Sequence, residues 1–336
     1  MPDNLQHRLI GESNAIGEIL EQVSSLARIS RPILVVGERG TGKELIAHRL
    51  HYLSARWQGP FISLNCASLN ESLLETELFG HEAGAFTGAQ RRHSGRFERA
   101  DGGTLFLDEL ASMSARLQEK LLRVIEYGEF ERVGSQQVIR VNVRLVCATH
   151  EHLPERVANG LFRADLLDRL AFDVITLPPL RLRQDDILLL ADFFAQNMAQ
   201  EFNLPAITGF APDIQQQLVL YPWPGNVREL RNVIERSVFR YAEPGHPLTR
   251  LCMDPFASPW RQTPEPVVDE AEKIPMNWQE HMAEYERKLL MKLLMSCHYN
   301  QRSAAQRAGL SYDQLRGLIR KHAISTRPPE MRQHPT

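Results

Sequence analysis

The stretch that most limits how this chain can fold is Arg31-Pro32-Ile33-Leu34-Val35-Val36, running into Gly37-Glu38-Arg39-Gly40-Thr41-Gly42-Lys43-Glu44. A short apolar run that ends in glycines is the pattern of a strand buried on both faces. A helix should open at the end of the loop, with Leu45, Ile46 and Leu50 on its apolar side. The glycines let successive backbone N–H groups turn inward around phosphate oxygens, and the helix N-terminus adds the positive end of its dipole. Lys43 supplies a point charge for the terminal phosphates. Glu44 stands where a Ser or Thr usually ligates magnesium. That leaves two readings: a degenerate loop, or a metal held by other carboxylates. Either way, strand, phosphate loop and helix imply a parallel α/β sheet whose ligand gathers at the carboxyl ends of the strands.

Further strands fit that sheet. Phe61-Ile62-Ser63-Leu64 runs into Asn65, and Gly103-Thr104-Leu105-Phe106-Leu107 ends in Asp108-Glu109. Adjacent acids at a strand end beside a phosphate loop can hold magnesium (Asp108) and polarise water (Glu109). The plainer reading is an N-capping Asp with a first-turn Glu. Val143–Ala148 ends in Thr149-His150, and Phe172–Leu177 stops at Pro178-Pro179. A hairpin should join Glu129–Ser135 to Val138–Val141, turning at Gly134-Ser135. Residues 1–30 have helical spacing at Ile16, Ile19, Leu20, Val23 and Leu26. Arg163 and Arg169 bracket an apolar helical stripe. They are either solvated arginines paired with Asp165 and Asp168, or fingers reaching a neighbour's phosphate. From Arg181 to Cys252 the pattern is helical, and Arg228 sits in a first turn, where a cation opposes the helix dipole and suits a phosphate better.

Between the phosphate loop and the acidic strand end lies Gly84-Ala85-Phe86-Thr87-Gly88-Ala89. Interior glycines disfavour both helix and strand. Phe86 could tuck into the domain's own core. Its position between two pieces of nucleotide machinery favours a loop that offers it to a partner instead.

The formal net charge of -2 confines any nucleic-acid contact to a local patch. The N-terminus lacks a signal-peptide pattern, and no window reaches the ~18 apolar residues of a membrane span. Cys66, Cys147, Cys252 and Cys297 form no CxxC pair, which suits free thiols in a cytoplasmic protein without membrane insertion. His150 and His152 have no third ligand at a helpful spacing. Residues 254–277 are proline-rich and read as a linker. Trp278, Met282, Tyr285, Leu289 and Leu293 then mark an amphipathic or pairing helix. Two short helices about Gly309 follow, cored by Ala304, Ala305, Leu310, Leu315, Leu318 and Ile319, with an excess of basic residues. This is the outline of a helix-turn-helix, with Ser311 capping the recognition helix, rather than a dimerisation hairpin. Arg302, Ser311, Tyr312, Gln314, Arg316, Arg320 and Lys321 are its expected DNA-binding residues.

Together these motifs resemble the sigma-54-dependent transcription activators, the bacterial enhancer-binding proteins of the AAA+ class; Gly84–Ala89 matches the hexapeptide with which that family contacts the sigma factor. The resemblance implies ATP and Mg2+ as cofactors. It makes Gly37, Glu38, Arg39, Gly40, Thr41, Gly42, Lys43 and Glu44 the Walker A segment, with Glu44 usual there, and Asp108-Glu109 the Walker B pair, Asp108 binding the metal. It also implies that Asn65 restrains Glu109, that Arg163 and Arg169 are trans-acting fingers, and that Thr149 and Arg228 are sensors. His150 departs from the usual Asn.

The implied layout is an ATPase subdomain at 1–178, a helical lid at 179–253, the linker at 254–277, a Fis-like helix-turn-helix at 278–325 and a tail at 326–336. The implied activity is ATP-driven remodelling of sigma-54 RNA polymerase to the open complex by a DNA-bound ring, expected to be a hexamer, at phage-shock promoters. With no receiver segment ahead of the ATPase, a separate negative regulator of the phage-shock type is expected. Trp57 is a candidate contact, although a core position suits a Trp better. The alternatives are a DNA-binding regulator that only binds nucleotide, and a remodeller of replication-type complexes.

Overall fold

The computed structural model describes residues 9–202, 207–258, 260, 278–297 and 299–324. The chain divides into two units, Met1–Pro255 and Phe256–Thr336. Most of the expected linker and all of the tail at 326–336 lie outside the described residues.

In the first unit the strands are β1 (Ile33–Val36), β2 (Phe61–Asn65), β3 (Thr104–Asp108), β4 (Glu129–Glu131), β5 (Val138–Arg140), β6 (Arg144–Thr149) and β7 (Val174–Thr176). Five of them form one parallel sheet in the order β2-β3-β6-β1-β7, and β4 and β5 make the separate antiparallel hairpin. Alternate side chains of the central strands enter two cores. Leu105, Leu107, Leu145 and Cys147 pack with the helices Glu71–Phe79, Ala115–Tyr127 and Ala164–Leu170. Phe106, Val146, Ala148, Ile33 and Val35 pack with Asn14–Leu26 and Lys43–Tyr52. Burial on both faces explains why these strands read as unbroken apolar runs. The helix expected over residues 1–30 occupies Asn14–Leu26 among the described residues.

Arg144 opens β6 and is buried, yet it has no carboxylate partner among the described residues. It donates to the carbonyls of Leu26 (2.9 Å), Ala27 (3.1 Å) and Leu50 (3.1 Å), so one guanidinium closes the C-terminal ends of two helices. Exposed helix-end carbonyls carry partial negative charge, which a cation satisfies. Burial pulls the Arg144 pKa down to about 10, which leaves it charged at neutral pH.

The lid packs Asp185–Glu201, Pro212–Leu220 and Asn226–Tyr241 around Leu190, Leu218, Trp223, Leu230 and Ile234. In the second unit the helices are Trp278–Ser296, Gln301–Arg307 and Tyr312–Lys321. Their core is Leu290, Leu294, Ala304, Ala305, Leu315 and Ile319, with Leu310 and Leu318 at its margin. Of the expected stripe on the long helix, Met282, Tyr285 and Leu289 are exposed, while Leu293 packs at the margin of the core that Leu290 and Leu294 enter. Among the described residues no helix is long and apolar enough to cross a membrane.

Candidate nucleotide site and its loops

Parallel pairing brings the site together. β1 ends at Val36 opposite Thr149 of β6, while Asp108 ends β3 opposite Asn65 of β2. The phosphate loop, the acidic pair and the polar end of β6 therefore share one edge of the sheet. Lys43 is buried and curls back onto the carbonyls of Gly37 (2.9 Å) and Glu38 (3.2 Å). Burial lowers its pKa, against the pull of Asp108 and Glu109 nearby. Burial likewise raises the pKa of Asp108, whose Oδ1 accepts from the Glu109 N–H at 2.9 Å. Asp108 is therefore a strand-end carboxylate rather than the helix cap of the plainer reading; the turn that follows it has Glu109 at its start in a left-handed conformation.

The loop is clasped by the lid. Arg181 grips the Glu38 carboxylate with two bonds (2.6 and 2.9 Å). The buried Asn226 donates to the same carboxylate and to the Arg39 carbonyl, and accepts from Leu180 N–H at 2.7 Å. Arg183 reaches the Thr41 carbonyl. The Glu38 carboxylate is therefore engaged by the lid. The Arg181 hydrogen bonds, followed by that of Asn226, draw its pKa down to about 2. The Thr41 hydroxyl bonds the Glu38 carbonyl. Arg228 stands beside Gly40 and is exposed, with no ion pair among the described residues. Sequence reasoning missed Asn226, Arg181 and Arg183; the Pro-Gly-Asn turn was the available signal.

Asn65 also differs from expectation. Its Oδ1 accepts from Ala67 N–H and its Nδ2 lies 3.5 Å from Asp108, with no bond to Glu109. His150 Nδ1 takes that place, 2.6 Å from Glu109 Oε2, with Arg39 Nε 3.6 Å from Oε1. Thr149 is buried, and its hydroxyl accepts from Glu151 N–H. Glu44 is exposed on the first turn of its helix. Among the described residues no cluster of three or more metal-ligating side chains exists, so a cation here would complete its shell with phosphate oxygens and water. That suits Mg2+, which takes one or two carboxylates plus phosphates.

Arg163 and Arg169 do not approach this loop. Arg163 forms a two-bond pair with Asp165, and Arg169 pairs with Glu126 at 3.1 Å rather than with Asp168.

The Phe86 loop stands on a firm base. The β4–β5 turn pairs with it through Val133 N–H to Gly80 O and Glu82 N–H to Val133 O. The buried Arg132 joins Glu82 (2.7 Å) to Glu98 (2.6 Å). Phe86 itself is 46% exposed and meets the His81 ring edge-on, at 4.9 Å between centroids, so it is not a core residue. Trp57 is also exposed, at 56%, with Tyr52 and Leu53, which corrects the expected core position.

In the second unit Ser311 and Gln314 cap the last helix reciprocally, the arrangement expected of Ser311. Arg302, Tyr312, Arg316 and Arg320 are exposed, while Lys321 is tied to Glu286 at 3.0 Å.

A parallel nucleotide sheet, a clasping helical lid and a presented Phe86 loop define a AAA+ ATPase of the sigma-54 activator class. The family comparison agrees: residues 9–176 match the sigma-54 interaction domain and residues 181–249 match the AAA+ ATPase lid domain. The chain belongs to the sigma-54-dependent activator family. It is 58% identical over 321 residues to the Psp operon transcriptional activator of Escherichia coli K12, covering 94% of this chain and 98% of that one. It is 52% identical over 233 residues to the transcriptional regulatory protein ZraR of Salmonella typhimurium, covering 69% of this chain and 53%, about half, of ZraR. The crystal structure of NtrX from Brucella abortus in complex with ADP superposes with a TM-score of 0.68 at 30% identity, over 95% of this chain and 69% of that one.

Proposed function

We propose that this protein activates phage-shock-type promoters by binding upstream DNA and using ATP hydrolysis to drive its Phe86 loop against sigma-54 RNA polymerase. The observation that carries this reading is an exposed Phe86, set between glycines and buttressed by the Arg132 network, on a nucleotide domain. Near full-length likeness to an activator of the Psp operon supports the promoter class.

In this reading Lys43 and Arg228 hold phosphates, Asp108 holds Mg2+ with them, and Glu109 is the general base. Arg163 and Arg169, which turn away from their own loop, complete the site of a neighbour in a ring, taken to be a hexamer. Residues 1–178 form the ATPase subdomain, 179–253 the lid, 254–277 the linker, 278–325 the helix-turn-helix and 326–336 the tail. The exposed Arg302, Arg316 and Arg320 face DNA phosphates or bases, with Tyr312 beside them. Ser311 and Gln314 set the recognition helix, and Lys321 fixes it to Glu286. The protein works in the cytoplasm, and the apolar patch of Trp57, Tyr52 and Leu53 suits a separate negative regulator of the phage-shock type.

ATPase rate against protein concentration, combined with open-complex formation by the Phe86→Ala variant, tests this reading. A specific rate that climbs with concentration is expected, as is a variant that hydrolyses ATP without opening promoters. Normal activation by that variant refutes the role of the loop. Unimpaired hydrolysis by Lys43→Ala refutes the site.

A further inference from the structure

Glu109 does not point freely into the site. His150 Nδ1 lies 2.6 Å from one carboxylate oxygen and Arg39 Nε lies 3.6 Å from the other. The Glu109 backbone sits at φ 52, a region that non-glycine residues occupy only when their surroundings hold them there. With the backbone held, the side-chain contacts decide where the carboxylate aims. An ionised carboxylate only accepts, so the His150 tautomer in this contact carries its hydrogen on Nδ1. His150 is itself placed by β6, whose last residue, Thr149, is buried and pairs with Val36 of the phosphate-loop strand. Asn65, the alternative partner, has its oxygen engaged by Ala67 and its nitrogen turned toward Asp108.

We infer that His150 is the positioning residue that restrains Glu109 between turnovers. The inference rests on Glu109 being the base of this site. For hydrolysis the Glu109 oxygen must exchange the imidazole N–H for a water. The water oxygen then bonds to phosphorus as the bridging P–O bond breaks toward ADP, and the water proton passes to Glu109. While His150 holds that oxygen, the proton has no acceptor. Because His150 adjoins the strand that meets the phosphate loop, filling the loop can release the carboxylate, tying hydrolysis to the state of the site rather than to chance encounter with water.

The test uses the full chain and compares wild type with His150→Ala, His150→Asn and Asn65→Ala, measuring steady-state ATP hydrolysis and open complexes formed per ATP. His150→Ala is expected to raise kcat about tenfold with KM unchanged, the scale of losing one hydrogen bond to a charged group, and to lower the yield of open complexes per ATP. His150→Asn keeps an N–H donor on a shorter arm and gives a partial rise. Asn65→Ala raises kcat less than His150→Ala does. An unchanged or reduced kcat, a change confined to KM, or a larger rise with Asn65→Ala overturns the restraint. Wild-type protein that fails to hydrolyse ATP overturns the reading of the site instead. If His150→Ala does not fold, His150→Asn carries the comparison. In a Glu109→Gln background, which has no base to release, neither His150 change can raise kcat; a rise there also overturns the inference.

Discussion

The nucleotide loop and the Phe86 loop are both built on glycines, and they use them in opposite ways. A Cβ on Gly40 would stand 2.3 Å from the Gly225 carbonyl, so this glycine is needed for close approach of the lid as well as for its positive φ. Gly84 and Gly88, at φ +83 and +105, have nothing within 4 Å of the same point. They are needed for backbone shape alone. One loop is locked by Glu38, Arg181 and Asn226; the other ends in a Phe that touches one ring edge. The packing around the glycines thus separates a loop held in place from one left open to solvent.

The largest effect should come from breaking the locked loop. Lys43→Ala removes a buried charge from the phosphate cradle and should lower ATP hydrolysis by about 100-fold or more, measured by phosphate release. At the free loop, Phe86→Ala should leave hydrolysis within about twofold while open-complex formation falls about 30-fold, the scale of losing one aromatic anchor. Equal losses in both assays would dissolve the contrast between the loops. Asn226→Ala leaves Leu180 N–H without its acceptor and weakens the clasp on Glu38. It should cost about 2 kcal/mol in urea denaturation, whereas Thr87→Ala on the free loop should cost almost nothing.

The smallest effect is the pH response of the clasp. The Glu38 pKa is lowered from 4.5 to about 2, so its contribution is full above pH 4.5 and fades as pH falls toward 2. Its side chain is 42% exposed, so solvent screens much of it. As pH falls from about 4.5 toward 2 the urea midpoints of wild type and Arg181→Met should draw together. A gap that widens would show that Glu38 is not the partner that matters.

Much of the ATPase unit was legible because its signals are local. The strands of the sheet are apolar runs punctuated by Gly, Pro or acids, and the phosphate loop carries its own spacing. Long-range pairing was not legible. Glu38 and Asn226 are 188 residues apart, and nothing around either announces the other. His150 showed only as a departure from an expected Asn, while its contact with Glu109 depends on the register of β6 beside β3. The exposure of Trp57 was hidden for a related reason: an aromatic's composition favours the core, and only the finished surface shows which one was left outside. The exposed arginines of the last two helices were legible as a charge excess, but the pairing of Lys321 with Glu286 needed the packed helix.

Arg144 gives the machine its fulcrum. The helix Lys43–Tyr52 begins at the phosphate loop, and a helix free at its far end could slide along its own axis. That end is pinned to the first residue of the strand whose last residues are Thr149 and, just beyond, His150. Sliding of that helix beneath the sheet would therefore break its bond to Arg144.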